Sequence, residues 1–208
     1  MNLISLLLSF AVSFCLLVIA MSVHEFAHGW TAYKLGDTTA KYSGRLTLNP
    51  LAHIDILWTL ILPLMLFITS GGRFIFGAAK PVPVNYWALG NPKRDMILVG
   101  LAGPAANFIL AGLLSILVNL ATINPLVSSG LLNLIIINIV LGVFNLIPIP
   151  PLDGSRVLMG ILPEPLASRY ASIEPYAFIL LLVFVYFGGF NLVVWPIVNV
   201  ILNILLIK

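Results

Sequence analysis

Three ionisable side chains stand close together inside a long apolar stretch near the amino terminus. They are His24, Glu25 and His28, and the stretch runs from residue 3 to about 34. If it forms one helix, the four-residue spacing places both histidines on one face, one turn apart. Two neutral imidazoles so placed can share a metal ion, with the Glu25 carboxylate beside them. This HExxH pattern is typical of zinc sites in which the glutamate takes a proton from water at the metal.

The same five residues also fit a packed helix whose polar groups are merely hydrogen-bonded. The apolar context argues against that interpretation, because ionisable groups within a membrane-spanning segment are rare and by default mark function. We therefore expect one Zn²⁺ per chain, with His24 and His28 as ligands and Glu25 as the general base.

The apolar content of the whole chain indicates an integral membrane protein. Of its 208 residues, 61% are hydrophobic and 8% are charged, and the mean hydropathy is +1.11, far outside the range of soluble domains. The ten lysines and arginines are scattered in loops. They inform topology and form no basic stripe, so no nucleic-acid partner is expected. Residues 1 to 21 lack the basic start and the cleavage site of a signal peptide, so none is expected.

Apolar runs separated by polar or proline-containing segments predict the helices. Long runs cover residues 3 to 34, about 95 to 122, 131 to 148, 170 to 187 and 191 to 207. Gly188 and Gly189 join the last two runs into a terminal hairpin. The polar, glycine-containing stretch from Lys34 to Arg45 predicts a short interfacial β-hairpin.

Residues 56 to 70 form an apolar run that is short for a membrane span. Pro63 interrupts the run, and Gly71 and Gly72 follow it. The next segment contains Pro81 and Pro83, which favour an extended strand edge over a helix interior. We expect residues 56 to 90 to form a re-entrant loop that makes no net crossing.

These patterns predict the fold class. It is an all-α polytopic membrane protein with about five transmembrane helices, a re-entrant helix and β-loop, and the interfacial β-hairpin. Residues 1–208 form a single membrane-embedded domain, with the site in a core of about 1–160 and a C-terminal transmembrane hairpin at about 165–208.

A catalytic zinc site usually takes three protein ligands, so the two histidines need a further donor. The lone Cys15 cannot form a cysteine zinc site. The acidic residues outside the motif are Asp37, Asp55, Asp95, Asp153, Glu164 and Glu174. Only Asp153 ends a long apolar run in a proline-broken stretch, although it could also simply make a turn before Gly154. His53 and Asp55 are weaker candidates, because residues at a polar boundary are more often capping or solvated.

Three motifs together resemble the site-2 protease family of intramembrane zinc metalloproteases, peptidase family M50. They are His24-Glu25-x-x-His28, Gly103-x-x-x-Asn107 and Asn145-x-x-Pro148-x-Pro150-x-Leu152-Asp153-Gly154. The likeness covers residues 20 to 160. The stretch from Lys80 to Asn85 resembles the membrane-associated β-loop of compact prokaryotic members, here without PDZ or CBS domains.

The resemblance implies that His24, His28 and Asp153 bind zinc and that Glu25 is the general base. It implies regulated intramembrane proteolysis at the cell membrane, where the substrate is a membrane protein with a transmembrane helix. A homo-oligomer is left open. The residues expected to contact substrate are Asn145, Asn107, Pro81, Val82, Pro83 and Val84.

Two other functions remain open at this point. Intramembrane histidine and acidic residues also mark metal or proton transporters, but the long spans after residue 95 carry almost no internal ionisable residues. An inactive relative would bind membrane proteins without cutting them, yet all four presumptive catalytic positions are intact.

The directions of the helices follow if His24, His28 and Asp153 lie at the same depth in the membrane. The helices ending near 34 and 148 must run parallel, and the helix from 95 to 122 must run opposite to both. With the amino terminus outside, the basic residues fall on the cytoplasmic side; Arg73, at the tip of the re-entrant loop, is the exception. The basic residues on that side are Lys34, Lys41, Arg45, Lys80, Lys93, Arg94, Arg156, Arg169 and Lys208.

Overall fold

The computed structural model describes residues 3–69, 71 and 77–206. The predictions that concern Gly72, Arg73 and Lys208 lie outside the described residues. The α-helices among the described residues are α1 (Leu3–Lys34), α2 (Thr39–Tyr42), α3 (Leu62–Thr69), α4 (Pro92–Leu120), α5 (Pro125–Asn145), α6 (Asp153–Ile161), α7 (Glu164–Ala171), α8 (Ala177–Tyr186) and α9 (Trp195–Leu205). A π-helical turn, Ile56–Ile61, precedes α3, and another, Phe190–Val194, precedes α9. Short 3-10 turns lie at Pro50–His53, Tyr86–Ala88 and Glu174–Tyr176.

The described part of the chain is all-helical, as the sequence predicts, and it contains four helices long and apolar enough to cross a membrane. They are Leu7–Lys34, Pro92–Leu120, Pro125–Asn145 and Glu164–Tyr186. The apolar helices Ile56–Thr69 and Phe190–Leu205 are shorter than the roughly 20 residues that a span usually needs. The protein is therefore a membrane protein, and four helices meet the length of a span where about five were expected.

Local sequence explains where the two central helices begin. Asn91 and Asn124 each accept a backbone N–H with the side-chain oxygen, and each is followed by a proline at the first helical position. Asparagine is a favoured N-cap, and proline fits the first helical position because no backbone N–H is needed there. These two Asn-Pro pairs start α4 and α5.

Helix α4 runs antiparallel to both α1 and α5. Along α1, Ala20 contacts Asn107, and His28, further along, contacts the earlier residue Val99. Asn107 also contacts Asn138 of α5, while Gly100 lies against the backbone of Asp153, beyond the end of α5. Helices α1 and α5 therefore run parallel, as expected from the sequence.

Close packing around α5 holds the bundle together. Ile135, Ile139 and Val143 recur every four residues on one face of α5 and are buried against Ala111 of α4 and Val198 of α9. Small residues allow the helices to approach, which is how helices associate in a membrane, where burial of apolar surface gives little driving force. A Cβ at Gly142 would lie 2.9 Å from the Phe108 ring, and one at Gly160 would lie 2.8 Å from the Lys93 carbonyl oxygen.

The interfacial β-hairpin expected after Lys34 is not formed. Residues 35–49 fold instead as turns and the short helix α2. The buried Asp37 side chain accepts hydrogen bonds from the backbone N–H of Thr39, at 2.9 Å, and from its hydroxyl. Such local side-chain bonds compete with strand pairing, and here they start a helical turn.

The two ends of the stretch between His53 and Lys80 meet. The Lys80 N–H donates to the His53 carbonyl at 2.9 Å, and the Ala78 N–H donates to the Trp58 carbonyl at 3.1 Å. The Thr59 hydroxyl donates to the Ala78 carbonyl at 2.7 Å. The chain thus returns to the point from which the Ile56–Thr69 helix departs. The segment that follows is extended, but within the described ranges it pairs with no strand.

Candidate metal centre and active site

Two histidines of α1 and the first residue of α6 meet at one point. His24 Nε2 lies 3.0 Å from His28 Nε2, and Asp153 Oδ2 lies 3.0 Å from the first and 3.2 Å from the second. Both histidines are buried and Asp153 is half-buried. The four-residue spacing on α1 brings His24 and His28 together. The fold brings Asp153 to them.

The turn after α5 brings Asp153 back to the histidines. Helix α5 ends at Asn145, and after seven residues α6 begins at Asp153. Gly154 packs so closely on the end of α5 that a Cβ there would overlap the Leu146 carbonyl. Only glycine permits this approach, so Gly154 positions the carboxylate that precedes it.

The outward-facing nitrogens of both imidazoles are held by acceptors. His28 Nδ1 donates to the Val99 carbonyl at 2.7 Å, and His24 Nδ1 donates to Asn107 Oδ1 at 2.6 Å. A nitrogen that donates carries the proton, so a neutral ring in this position presents the lone pair of Nε2 to the other two groups. Such partners orient the ligands of metal sites.

The donor set fits a metal ion such as Zn²⁺. Two nitrogen lone pairs and a carboxylate that converge within hydrogen-bond distance repel one another unless a proton or a metal cation lies among them, and two histidines with one acidic residue form a known zinc set. The ligand atoms of His24, His28 and Asp153 all lie within 4.8 Å of one another. Gly103 keeps space beside them, because a Cβ there would lie 2.7 Å from His24 Nε2 and would overlap His28 Nε2.

Glu25 faces a cavity of about 250 Å³ next to this cluster. Its Oε2 accepts the backbone N–H of Val82 at 2.7 Å. The side chains that line the cavity come from α1, α4, α6, the turn before α6 and the extended segment. They are Glu25, His28, Pro81, Val82, Val84, Tyr86, Val99, Pro151, Asp153 and Arg156.

Arg156 is the only cationic side chain that lines this cavity in the part of the chain the structure describes. Its guanidinium lies 5.7 Å from the centre of the Tyr86 ring and pairs with Glu174. Burial raises the pKa of the Tyr86 phenol above its ordinary value, so Tyr86 is neutral at physiological pH. The cavity is thus lined by one cationic side chain, which is paired with Glu174, and by the acidic side chains of Glu25 and Asp153.

The segment from Lys80 to Asn85 is fixed to the protein along its length. The Arg45 guanidinium donates to the carbonyls of Lys80 and Pro81, at 2.6 and 3.2 Å. The Asn85 N–H donates to Asp37 Oδ2 at 2.7 Å. The roles of Arg45 and Asp37 here were missed in the sequence, where both stand in a polar stretch without a motif.

The residues expected to contact substrate have different positions. Pro81, Val82 and Val84 line the cavity, whereas Pro83 is exposed and is not among the lining residues. Asn145 is half-buried at the end of α5, where its amide donates to the Leu141 carbonyl at 2.9 Å.

Asn107 is not among the residues that line the cavity. A substrate contact needs an accessible amide, but Asn107 is fully buried. Its oxygen binds His24, and its nitrogen donates to the Ala20 carbonyl and to Asn138. In this structure the side chain orients the His24 ring, and the expected contact with substrate stays a prediction.

Of the acidic candidates in the described ranges, only Asp153 joins the histidines. His53 donates to the Thr47 carbonyl, and Asp55 caps the following helix by accepting two backbone N–H groups. Asp95 accepts the Asn91 N–H, and Glu164 pairs with Lys93. These contacts are structural, as expected for His53 and Asp55 at a polar boundary.

Comparisons with known proteins show the family to which the chain belongs. The family model of peptidase family M50 matches residues 119–185. The protein named "Putative zinc metalloprotease YwhC" from Bacillus subtilis (strain 168) is 38% identical over 192 residues, which are 88% of this chain and 84% of the relative. The chain belongs to peptidase family M50, and it is a metalloprotease of the site-2 protease type.

Longer relatives match as well. "Putative zinc metalloprotease Rip2" from Mycobacterium tuberculosis (strain ATCC 25618 / H37Rv) is 36% identical over 168 residues, 80% of this chain and 63% of the relative. "Zinc metalloprotease MJ0392" from Methanocaldococcus jannaschii is 30% identical over 154 residues, 74% of this chain and 35% of the relative. No solved structure matches the chain significantly.

Proposed function

We propose that the protein is an intramembrane zinc endopeptidase that hydrolyses peptide bonds in or near the transmembrane segments of membrane proteins. The observation that carries the proposal is the meeting of His24, His28 and Asp153 beside Glu25, at a cavity between apolar helices. His24, His28 and Asp153 would hold the ion. When bound, zinc supplies Lewis acidity that makes water more acidic and polarises the scissile carbonyl.

Glu25 is the group that moves protons. Its carboxylate faces the cavity and is not part of the metal cluster, so it is free to accept a proton from the attacking water and to deliver it to the leaving amine. In this proposal the three ligands hold the ion that activates water, and Glu25 transfers the proton, as the sequence pattern predicts.

The extended segment is suited to hold an unwound substrate. A helical peptide bond is shielded by its own hydrogen bonds, so the target must become extended before cleavage, and an added strand is one way to hold it. Pro81 and Pro83 have no backbone N–H, so Val82 supplies the donor between them. That donor now binds Glu25. Pairing with a substrate would exchange this bond and free the base as the peptide arrives.

The charge distribution supports an orientation with the amino terminus outside the cell membrane. Lys34, Arg45 and Lys93 lie where α1 ends and α4 begins, and Arg156 lies on α6. The opposite connection, from Ala121 to Asn124, carries no charge. Basic residues favour the cytoplasmic side, so the active site would lie near that side, with residues 56 to 90 as a re-entrant loop.

The proposal is tested with purified protein in lipid vesicles and a membrane-anchored peptide substrate. Zinc content and cleavage are measured for the wild type and for Glu25→Gln. We expect about one zinc per chain in both proteins and cleavage by the wild type alone. Zinc without cleavage in the wild type would favour an inactive binding relative, and zinc flux across the vesicle membrane would favour a transporter.

A further inference from the structure

A chain of side-chain amides leads from the metal cluster into the middle of α5. His24 Nδ1 donates to Asn107 Oδ1 at 2.6 Å, and Asn107 Nδ2 donates to Asn138 Oδ1 at 2.7 Å. Asn138 Nδ2 then donates to the Leu134 carbonyl at 2.8 Å. Both asparagines are 0% exposed. The chain ends on a backbone carbonyl, which can only accept.

The direction of this chain determines which nitrogen of His24 carries the proton. An asparagine amide turned by 180° exchanges its oxygen and its nitrogen. If Asn107 turned, its NH₂ would face His24 Nδ1, and the ring would keep its proton on Nε2. A protonated Nε2 cannot bind a metal, so the site requires the observed orientation of Asn107.

Asn138 is the residue that opposes such a turn. Its own amide is fixed by the donation to Leu134, so its oxygen faces Asn107. If Asn107 turned, its Oδ1 would face two other oxygens, Asn138 Oδ1 and the Ala20 carbonyl. In the observed orientation Asn107 Nδ2 donates to that carbonyl at 3.2 Å. Buried polar groups left without partners are destabilising, so the hydrogen bonds to Asn138 and Ala20 favour the observed orientation.

We propose that Asn138 is a positioning residue of the metal site, which fixes the Asn107 amide so that His24 presents a free Nε2 to the ion. The inference rests on the metal site of the proposed function and adds a residue of a third helix to it. The alternative is that Asn138 merely joins α4 to α5, as polar residues do in membrane helices. The two roles differ in what they do to metal affinity.

The test measures zinc affinity by competition with a chromophoric chelator, and thermal unfolding of the metal-free protein. We expect Asn138→Leu to weaken zinc binding roughly 10- to 100-fold. Asn133→Leu is the matched control, because Asn133 is exposed on the same helix, and it should bind zinc as the wild type does. Asn138→Asp should restore most of the affinity, because a neutral acid can accept from Asn107 and donate to Leu134.

A second measurement separates orientation from helix packing. Both oxygens of a carboxylate accept, so in an Asn107→Asp protein either orientation offers an acceptor to His24. Because Asn138 Oδ1 then faces another oxygen, adding Asn138→Leu should not lower zinc affinity further. An equal loss in both backgrounds would mean that Asn138 acts through packing and would overturn the proposal. Zinc affinity equal to that of the wild type in Asn138→Leu would also overturn the proposal. Equal binding by the wild type and His24→Ala would instead show that the metal site itself is misassigned.

Discussion

The Val82 backbone N–H donates to Glu25 Oε2 at 2.7 Å, across 57 residues of sequence. This bond joins the group that would act as the base to the segment that would hold the substrate. A hydrogen bond to a charged group is worth about 1.5–3 kcal/mol. It is therefore strong enough to fix the carboxylate and weak enough to be exchanged.

Val82→Pro should lower turnover roughly tenfold or more, because it removes a bond of that size and the donor for substrate pairing. Zinc content should not change, since Val82 is not one of the three expected ligands. Val82→Ala keeps the N–H and serves as the control. Cleavage rates on a membrane-anchored peptide are compared, and an unchanged rate in the proline variant would remove this segment from the mechanism.

His24→Ala, His28→Ala and Asp153→Ala should each lose both zinc and proteolysis, because a site left with two ligands binds weakly. His53→Ala should keep its zinc, since His53 lies apart from the cluster and donates to Thr47. The zinc content of each purified variant tests this prediction. Full occupancy and rate in Asp153→Ala would mean that another residue completes the site.

Glu25→Ala should abolish proteolysis and retain zinc, because the carboxylate lies at the cavity and not in the group of three ligands. The measurements are zinc content and cleavage of the same peptide. Loss of the metal from this variant would contradict the assignment of Glu25 as a base.

Gly103→Ala should weaken zinc binding, because the added Cβ would overlap His28 Nε2. Overpacking costs about 1–3 kcal/mol, which corresponds to roughly 5- to 150-fold in affinity. Gly112→Ala is the matched control, since a Cβ at Gly112 on the same helix meets nothing within 4 Å. Chelator competition compares the two variants, and equal affinities would show that the site tolerates a side chain at 103.

Single cysteines at Lys41, Lys93 and Ser128, in a Cys15→Ser background, test the topology with an impermeant thiol reagent on intact cells. Labelling should occur only at position 128, because the other two positions lie at the basic end of the bundle. Labelling at position 93 would mean that residues 56–70 cross the membrane.

Sequence reasoning anticipated that His24, His28 and Asp153 meet, because each of them stands in a recognisable local pattern. The spacing of His24 and His28 fixes their common face, and Asp153 stands in an irregular stretch at the end of an apolar run. The same reasoning did not reveal the bond between Asn107 and His24, since a motif records spacing but not the direction in which a buried amide points. That direction depends on Asn138, a residue 31 positions away on another helix.

The prediction of an interfacial β-hairpin was wrong for a different reason. Glycines and β-branched residues favour a hairpin only on average, and one buried carboxylate, Asp37, turned the chain into a helix. Its second oxygen then reaches Asn85, 48 residues further on. Contacts between such distant residues have no periodic signal in the sequence, so the fixing of the extended segment could not be foreseen.

The closed loop between His53 and Lys80 separates two parts of the molecule that can change independently. Its ends are held to each other by backbone hydrogen bonds, so residues added or removed beyond Trp58 and before Ala78 need not move Val82 or Glu25. The cost of lengthening such a loop rises slowly, by about 0.6 kcal/mol for each doubling. Insertions or deletions within this segment are therefore expected to leave Glu25 and the extended segment in place.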